Sequence, residues 1–74
     1  MKEISIKNKV KLARVEKDLT QQELADLVGV TRQTIISIEK GRFVPSTLLA
    51  LKLATFFKKP VEDIFFLLDN NKND

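Results

Sequence analysis

The sequence has no cysteine and no histidine among its 74 residues. It therefore cannot form a disulfide framework, a Cys/His zinc site, a catalytic thiol or an imidazole base. The remaining carboxylates and hydroxyls are scattered and offer no paired nucleophile and base. We therefore expect neither an enzyme nor a metal or cofactor site, and stability has to come from apolar packing, helix caps and any self-association.

Long apolar runs are also missing. Stretches such as residues 65–68 fall far short of the roughly 18 consecutive residues that indicate a membrane span. The N-terminus, with Lys2 and Glu3 ahead of an interrupted pattern, lacks the apolar core of a signal peptide. These absences predict a cytoplasmic protein with no membrane partner.

The chain is short enough for one domain only, and a domain of this size buries only about 60% of the surface that its unfolded chain exposes. We find no internal repeat and no linker that would separate two domains. Because no second domain is present to hold an effector, no small-molecule ligand is expected.

Charge is distributed unevenly along the chain. Residues 1–60 hold 12 Lys and Arg against 6 Asp and Glu, whereas residues 61–74 hold 1 against 4. A basic body with an acidic end suits a surface that binds a polyanion. The alternative is a merely solvated basic surface, since many soluble proteins are as basic as this one.

The first predicted element is a helix with Ser5 as its N-cap. Ile4, Ser5 and Ile6 alternate like a strand, but three residues are too few to favour one. The helical stripe and its flanking apolar residues are Ile6, Val10, Ala13, Lys17, Leu12 and Val15.

The clearest local signal is a capping box formed by Thr20 and Glu23. Leu19 and Leu24 occupy the flanking positions of a hydrophobic staple, so a helix begins here. We expect the apolar residues of this helix to share its inward face, and they are Leu24, Ala25, Leu27 and Val28.

Gly29 can adopt the left-handed conformation that ends this helix. Only Val30 separates it from Thr31, the next cap, so the following helix must depart at a steep angle. Val30 and Ile35 form a second staple. The pattern predicts two helices joined by a tight glycine turn.

The second helix of this pair keeps Ile35 and Ile38 inward and ends at Gly41. Ser46 caps a fourth helix, and Pro60 ends it and begins a last short one. The residues expected to face the core are Leu48, Leu51, Leu53, Ala54 and Phe57 in the fourth helix and Val61, Ile64, Phe65 and Leu68 in the fifth.

We therefore predict an all-α fold, a compact bundle of five helices in one domain of residues 1–68. Residues 69–74 have nothing to bury and are predicted to be a disordered polar tail.

The order of these residues resembles the phage-repressor and Cro type of helix-turn-helix, in particular the compact bacterial regulators that contain little beyond that domain. The resemblance covers roughly residues 6–68, and many positions match in order. It is carried by residues 19–25, 28–35 and 38–42, by Pro45 and Ser46, and by residues 50–54 and 61–65. It implies a lambda-repressor-like fold and a bacterial transcription regulator, associated with the nucleoid when it is bound to double-stranded DNA.

The resemblance implies that the helix from Arg32 to Lys40 is the recognition helix, lying in the major groove. On that helix, four residues lie opposite Ile35 and Ile38 and have side chains suited to base edges. They are Arg32, Gln33, Ile36 and Ser37. The alternative is that they are ordinary surface residues, which becomes the poorer explanation once the whole motif is matched.

Helix ends offer free amides and the positive end of the dipole, and so favour phosphate. Together with the family pattern, this predicts phosphate contacts from Gln21, Thr31, Thr34, Lys40, Arg42 and Phe43. Three lysines of the first helix add charge or are merely solvated, and they are Lys7, Lys9 and Lys11.

In the family an arginine near the end of the first helix pairs with an acid near the end of the recognition helix. Arg14 and Glu39 occupy the matching positions, so a structural ion pair is implied. For Arg14, a tie without DNA contact is at least as good an interpretation as a phosphate contact.

Two positions depart from the family pattern. Val44 stands where relatives commonly have a polar residue. Lys58 replaces a glycine, which suggests that the chain leaves the end of the fourth helix in a different conformation, a different exit from that helix.

Phe66 and Leu67 are left outside the last apolar stripe, and adjacent exposed apolar residues suggest a partner surface. We expect them to form the contact of a homodimer, which would place two recognition helices about 34 Å apart on a near-palindromic operator. The alternative is that they only cover the edge of a small core.

Two other functions are considered, a DNA-binding antitoxin and a protein-interaction module on the same fold. The tail after residue 68 is very short for a segment that wraps a toxin, which counts against the antitoxin. Arg32 and Gln33 suit contacts to bases, which counts against the protein-interaction module.

Overall fold

The computed structural model describes residues 4–69. Its elements, in chain order, are β1 (Ile4–Asn8), α1 (Val10–Glu16), α2 (Gln21–Val28), α3 (Arg32–Glu39), α4 (Thr47–Phe57), α5 (Val61–Ile64) and β2 (Phe65–Asp69). The five expected helices are present, but the all-α prediction is wrong because the two strands form a sheet. Asp69, the first residue of the predicted tail, belongs to β2, and the rest of that tail lies outside the described residues.

The sheet is antiparallel and pairs the two ends of the described chain, with Ile4 opposite Asp69 and Asn8 opposite Phe65. Ser5 therefore lies in a strand and is not the N-cap of α1. The backbone N–H of Val10, at the start of α1, instead donates to Asn8 Oδ1 over 3.1 Å. The local sequence did not predict this strand, because the strand is stabilised by a partner that lies about 60 residues away in sequence.

The predicted apolar stripe of the last helix is interrupted because β2 begins at Phe65. The helix ends at Ile64, and the following residues alternate across a strand instead of continuing along a helical face. Ile64 is buried and Phe65 packs against the core, as expected. Leu68 is 44% exposed, because it lies near the end of β2, beyond the two half-buried residues Phe65 and Phe66.

The core is formed by one cluster of apolar residues from the five helices. Three leucines expected in it are exposed instead: Leu27 (56%), Leu48 (66%) and Leu51 (49%). The sequence of α4 is apolar on nearly all sides, so its periodicity does not identify the inward face, and packing turns Leu49 inward. The buried residues are Val10, Ala13, Leu24, Ala25, Val28, Ile35, Ile38, Leu49, Leu53, Ala54, Phe57 and Ile64.

The first four helices are each followed by a residue in the left-handed conformation: Asp18 (φ 56°), Gly29 (φ 80°), Gly41 (φ 74°) and Lys58 (φ 57°). In each case the next N–H bonds to a carbonyl five residues earlier, which is the Schellman arrangement. The expectation of a different exit at Lys58 is therefore wrong, since Lys59 N donates to Ala54 O over 3.1 Å in the same way.

We expect Lys58→Gly to raise the free energy of unfolding by about 0.5–1 kcal/mol. A side chain at positive φ is strained, and glycine removes that strain at a smaller entropic cost. Urea unfolding with an unchanged m-value would measure the gain. Lys58→Ala is the matched control, because it also removes the lysine but keeps a Cβ; equal stability of the two variants would contradict the prediction.

Candidate nucleic-acid interface

The two helices α2 and α3 begin and end where the sequence predicts. Thr20 Oγ1 accepts from Glu23 N over 3.0 Å, and Glu23 Oε1 accepts from Thr20 N over 2.8 Å, which completes the capping box. Thr31 Oγ1 accepts from Thr34 N over 3.2 Å at the start of α3. Together with the left-handed Gly29, these caps fix the end of α2 and the starts of both helices by local hydrogen bonding.

The inward side of α3 is held by apolar packing. Ile35 and Ile38 are completely buried. The carbonyl of Ile38 also accepts a 2.9 Å hydrogen bond from Asn8 Nδ2. Sequence reasoning missed this role of Asn8, although an asparagine just ahead of α1 is itself a capping signal. Asn8 thus joins the end of β1, the start of α1 and the last turn of α3.

A polar network fixes the C-terminal end of α3. Arg14 Nε donates to Glu39 Oε2 over 2.7 Å and Arg14 Nη2 to Glu39 Oε1 over 3.3 Å, so the expected ion pair is present and bidentate. The two side chains are only 11% and 4% exposed. Arg14 Nη1 also donates to Leu19 O over 2.7 Å. With all three nitrogens engaged internally, Arg14 acts as a tie between helices.

Gln21 is the third member of this network. Its Nε2 donates to Glu39 Oε1 over 3.1 Å, which joins the first turn of α2 to the last turn of α3. An amide nitrogen carries two hydrogens, so one remains for another acceptor. Gln21 therefore positions α3, and a phosphate contact from it would use that second hydrogen or its backbone N–H.

The outward side of α3 presents the four residues expected at base edges. Arg32 and Gln33 are exposed, whereas Ile36 and Ser37 are half-buried. Gln33 Nε2 and Ser37 Oγ lie 3.4 Å apart, a long hydrogen bond on the surface. The side chains at the start of α3 are therefore the more accessible pair, and Ile36 and Ser37 lie deeper.

The start of α3 and the loop that follows its end come together around one shallow depression. The structure thereby joins predicted base-contacting residues with predicted phosphate-contacting ones, although the loop lies ten residues farther along the chain. The lining residues are Thr31, Gln33, Thr34, Ser37, Arg42 and Phe43.

The loop after α3 is positioned by the left-handed Gly41. Arg42 N donates to Ser37 O over 2.9 Å, which folds the loop back toward α3. Lys40 and Arg42 are exposed, and Phe43 is 47% exposed. Two cations are thus held beside the outward side of α3.

The lysines near the N-terminus are less clearly part of this surface. Lys7 and Lys11 are exposed. Lys9 Nζ lies 5.6 Å from the centre of the Phe66 ring, a cation–π distance. Lys9 therefore points toward β2.

No group of His, Cys, Asp or Glu within residues 4–69 is arranged to hold a metal ion. None of the helices in this part of the chain has the length and apolar character that crossing a bilayer requires.

Comparison with known proteins gives one consistent family. The family model described as helix-turn-helix matches residues 10–64. The HTH-type transcriptional regulator YgzD of Bacillus subtilis is 50% identical over 66 residues, which are 89% of this chain and 100% of YgzD. The HTH-type transcriptional regulator MJ0272 of Methanocaldococcus jannaschii is 52% identical over 65 residues, 88% of this chain and 98% of its own.

A solved structure agrees with these relatives. The crystal structure of the restriction-modification controller protein C.AhdI from Aeromonas hydrophila superposes with a TM-score of 0.67 at 31% identity. The match covers 73% of this chain and 82% of that protein.

Proposed function

The chain belongs to the Cro/C1-type helix-turn-helix family of DNA-binding transcription regulators, and from this membership we propose that it is a sequence-specific repressor that reads the major groove of duplex DNA with α3. The observation that carries the proposal is the contrast between the two sides of α3. The inward side is held by Ile35, Ile38 and Glu39. The outward side leaves Arg32 and Gln33 free to meet a groove.

The outward residues have complementary roles. Arg32 suits a bidentate contact to guanine, and Gln33 suits one to adenine. Ile36 contacts a thymine methyl group, and the Ser37 hydroxyl bonds to either kind of base edge. Because Ile36 and Ser37 lie deeper, Arg32 and Gln33 make the larger contribution to specificity.

Phosphate contacts flank this reading surface. Lys40 and Arg42 neutralise the backbone on one side, and Phe43 packs against the sugar and phosphate beside them. Thr31 and Thr34 contact phosphate at the start of α3, where their hydroxyls lie 3.0 Å apart. Gln21 adds a contact from α2. Such contacts fix the register of α3 on the duplex without specifying sequence.

We further propose that the active species is a homodimer joined through the open edge of β2. Each strand of the sheet has only one neighbour among the described residues, and an unpaired edge is a ready site for another strand. Leu67 is 62% exposed and shares a sheet face with Ile6, its directly paired residue. Phe66 lies on the opposite face, half-buried, so a partner along the edge would touch both residues.

Repression follows from occupancy, because a dimer lodged in two successive major grooves excludes other proteins from the same DNA. The direct test is selection of bound sites from random duplexes at a stated salt concentration. We expect a near-palindromic consensus with half-sites about one turn, or 34 Å, apart. Failure to enrich any sequence would contradict sequence-specific binding, and a single unrepeated half-site would contradict the dimer.

For the dimer contact, we expect Leu67→Glu to break the association of two chains at β2 and to weaken operator binding by about a hundredfold, because the two half-sites are then bound independently. Sedimentation and titration of the selected duplex would measure the two effects. Val15→Glu is the matched control, since Val15 is similarly exposed (51%) but lies on α1. If the two variants bind alike, β2 is not the contact.

A further inference from the structure

Another exposed apolar surface among residues 4–69 lies between α2 and α4. Leu27 of α2 and Leu48 and Leu51 of α4 line a groove between the two helices, together with the half-buried Phe56. The three leucines are 49–66% exposed. We call this surface the α2–α4 groove; it shares no residue with the proposed DNA surface or with β2.

This exposure is not required by the fold. Leu49, Leu53, Ala54 and Phe57 already fill the inward side of α4, so the leucines at 48 and 51 are additional apolar residues on a solvated side. Contiguous exposed apolar side chains on so small a protein mark an interaction surface.

The charges at the rim of the groove indicate which partner fits. Asp26 lies on the α2 side, and Gln22 Nε2 holds its Oδ1 at 2.9 Å. Lys52 lies on the α4 side and is exposed, with no ion-pair partner in residues 4–69. A two-fold axis that lays α4 of one copy into the groove of another exchanges the two sides. Asp26 of each copy then faces Lys52 of the other, which makes the groove complementary to itself.

We propose that the α2–α4 groove binds the same groove of a second copy of this chain, with the leucines at the centre and two Asp26–Lys52 pairs at the rim. The contact forms without DNA. If the β2 dimer proposed above exists, this second two-fold contact joins dimers into assemblies of four chains, and repressors on neighbouring operators bind cooperatively. That extension alone rests on the proposed function.

Charge exchange at the rim tests the proposal on the full chain without DNA. We expect Asp26→Lys and Lys52→Asp each to weaken the association of the grooves by about tenfold, because like charges then face each other. The double variant restores opposite charges and should return to within about threefold of the original dissociation constant. Sedimentation over a range of concentrations measures these constants. A double variant as weak as the single ones would overturn the proposal.

Controls separate this contact from the one at β2. Glu62→Lys and Lys11→Asp make the same charge changes at exposed positions outside the groove and should leave the association unchanged.

Leu51→Glu should remove the groove contact and leave β2 dimers, whereas Leu67→Glu should leave pairs joined by the groove. Pairs that survive Leu67→Glu but not Leu51→Glu would support the groove and contradict β2. An unchanged mass in Leu51→Glu would show that another occupant, or none, fills the groove, and would overturn the proposal. Circular dichroism would verify that each variant is folded.

Discussion

Replacing Glu39 by alanine is expected to lower the free energy of unfolding by about 3–5 kcal/mol, the cost of leaving a buried partner charge uncompensated. The Arg14 guanidinium, on a side chain that is only 11% exposed beside Glu39, would lose both of its bonds to that residue. Gln21 would lose its acceptor as well. A domain of this length has only a few kcal/mol of net stability, so the variant should be largely unfolded at moderate temperature.

Urea and thermal unfolding would measure this loss. Glu16→Ala is the matched control, because Glu16 is an exposed acid near the end of α1 and its removal should cost little. The double variant Arg14→Met with Glu39→Leu should be more stable than Glu39→Ala, since no charge is then left buried without a partner. A Glu39→Ala variant as stable as Glu16→Ala would contradict the structural role of the network.

Arg32→Ala is expected to weaken binding to the selected operator by about 1–3 kcal/mol and to relax the preference at one base position in each half-site. The physical reason is the loss of a bidentate donor to a guanine edge, with no loss of folding stability because Arg32 is exposed. Repeating the site selection with the variant would show which position is relaxed, and titration at fixed salt would give the loss of affinity.

Lys40→Ala provides the comparison for Arg32→Ala. Both remove an exposed cation at an end of α3, but Lys40 is assigned to phosphate. It should weaken all sequences alike and reduce the salt dependence by about one counterion, while the consensus remains unchanged. If the two variants had the same effect on consensus and salt dependence, our division between base and phosphate contacts would be wrong.

The network around Glu39 also changes how two predicted contacts are understood. Phosphate contacts are considered for both Arg14 and Gln21, but the side chains of both donate hydrogen bonds to Glu39 and thereby hold α3 in place. Asn8, at the end of β1, holds the same turn of α3 through the carbonyl of Ile38. Together these residues keep α3 from shifting on the core, so that Arg32 and Gln33 meet the groove in one register.

The sequence alone determined the parts of this protein that depend on neighbouring residues. The Thr20 and Glu23 capping box, the Gly29 turn and the Thr31 cap are satisfied by hydrogen bonds that span only a few residues, so their signals are complete within the α2–α3 segment. The placement of α2 and α3, and the outward position of Arg32 and Gln33, could therefore be predicted directly.

Only the tertiary structure decided the features that depend on distant or competing partners. The strands β1 and β2 pair residues about 60 positions apart, and neither carries a local signal strong enough to predict a strand. Helix α4 is apolar on nearly every side, so its packing in the shared core, and not its periodicity, determined that Leu49 is buried and that Leu48 and Leu51 are exposed. Local caps are encoded by a few adjacent residues, whereas a strand's pairing and a helix's inward face are set by the lowest free energy of the whole folded chain.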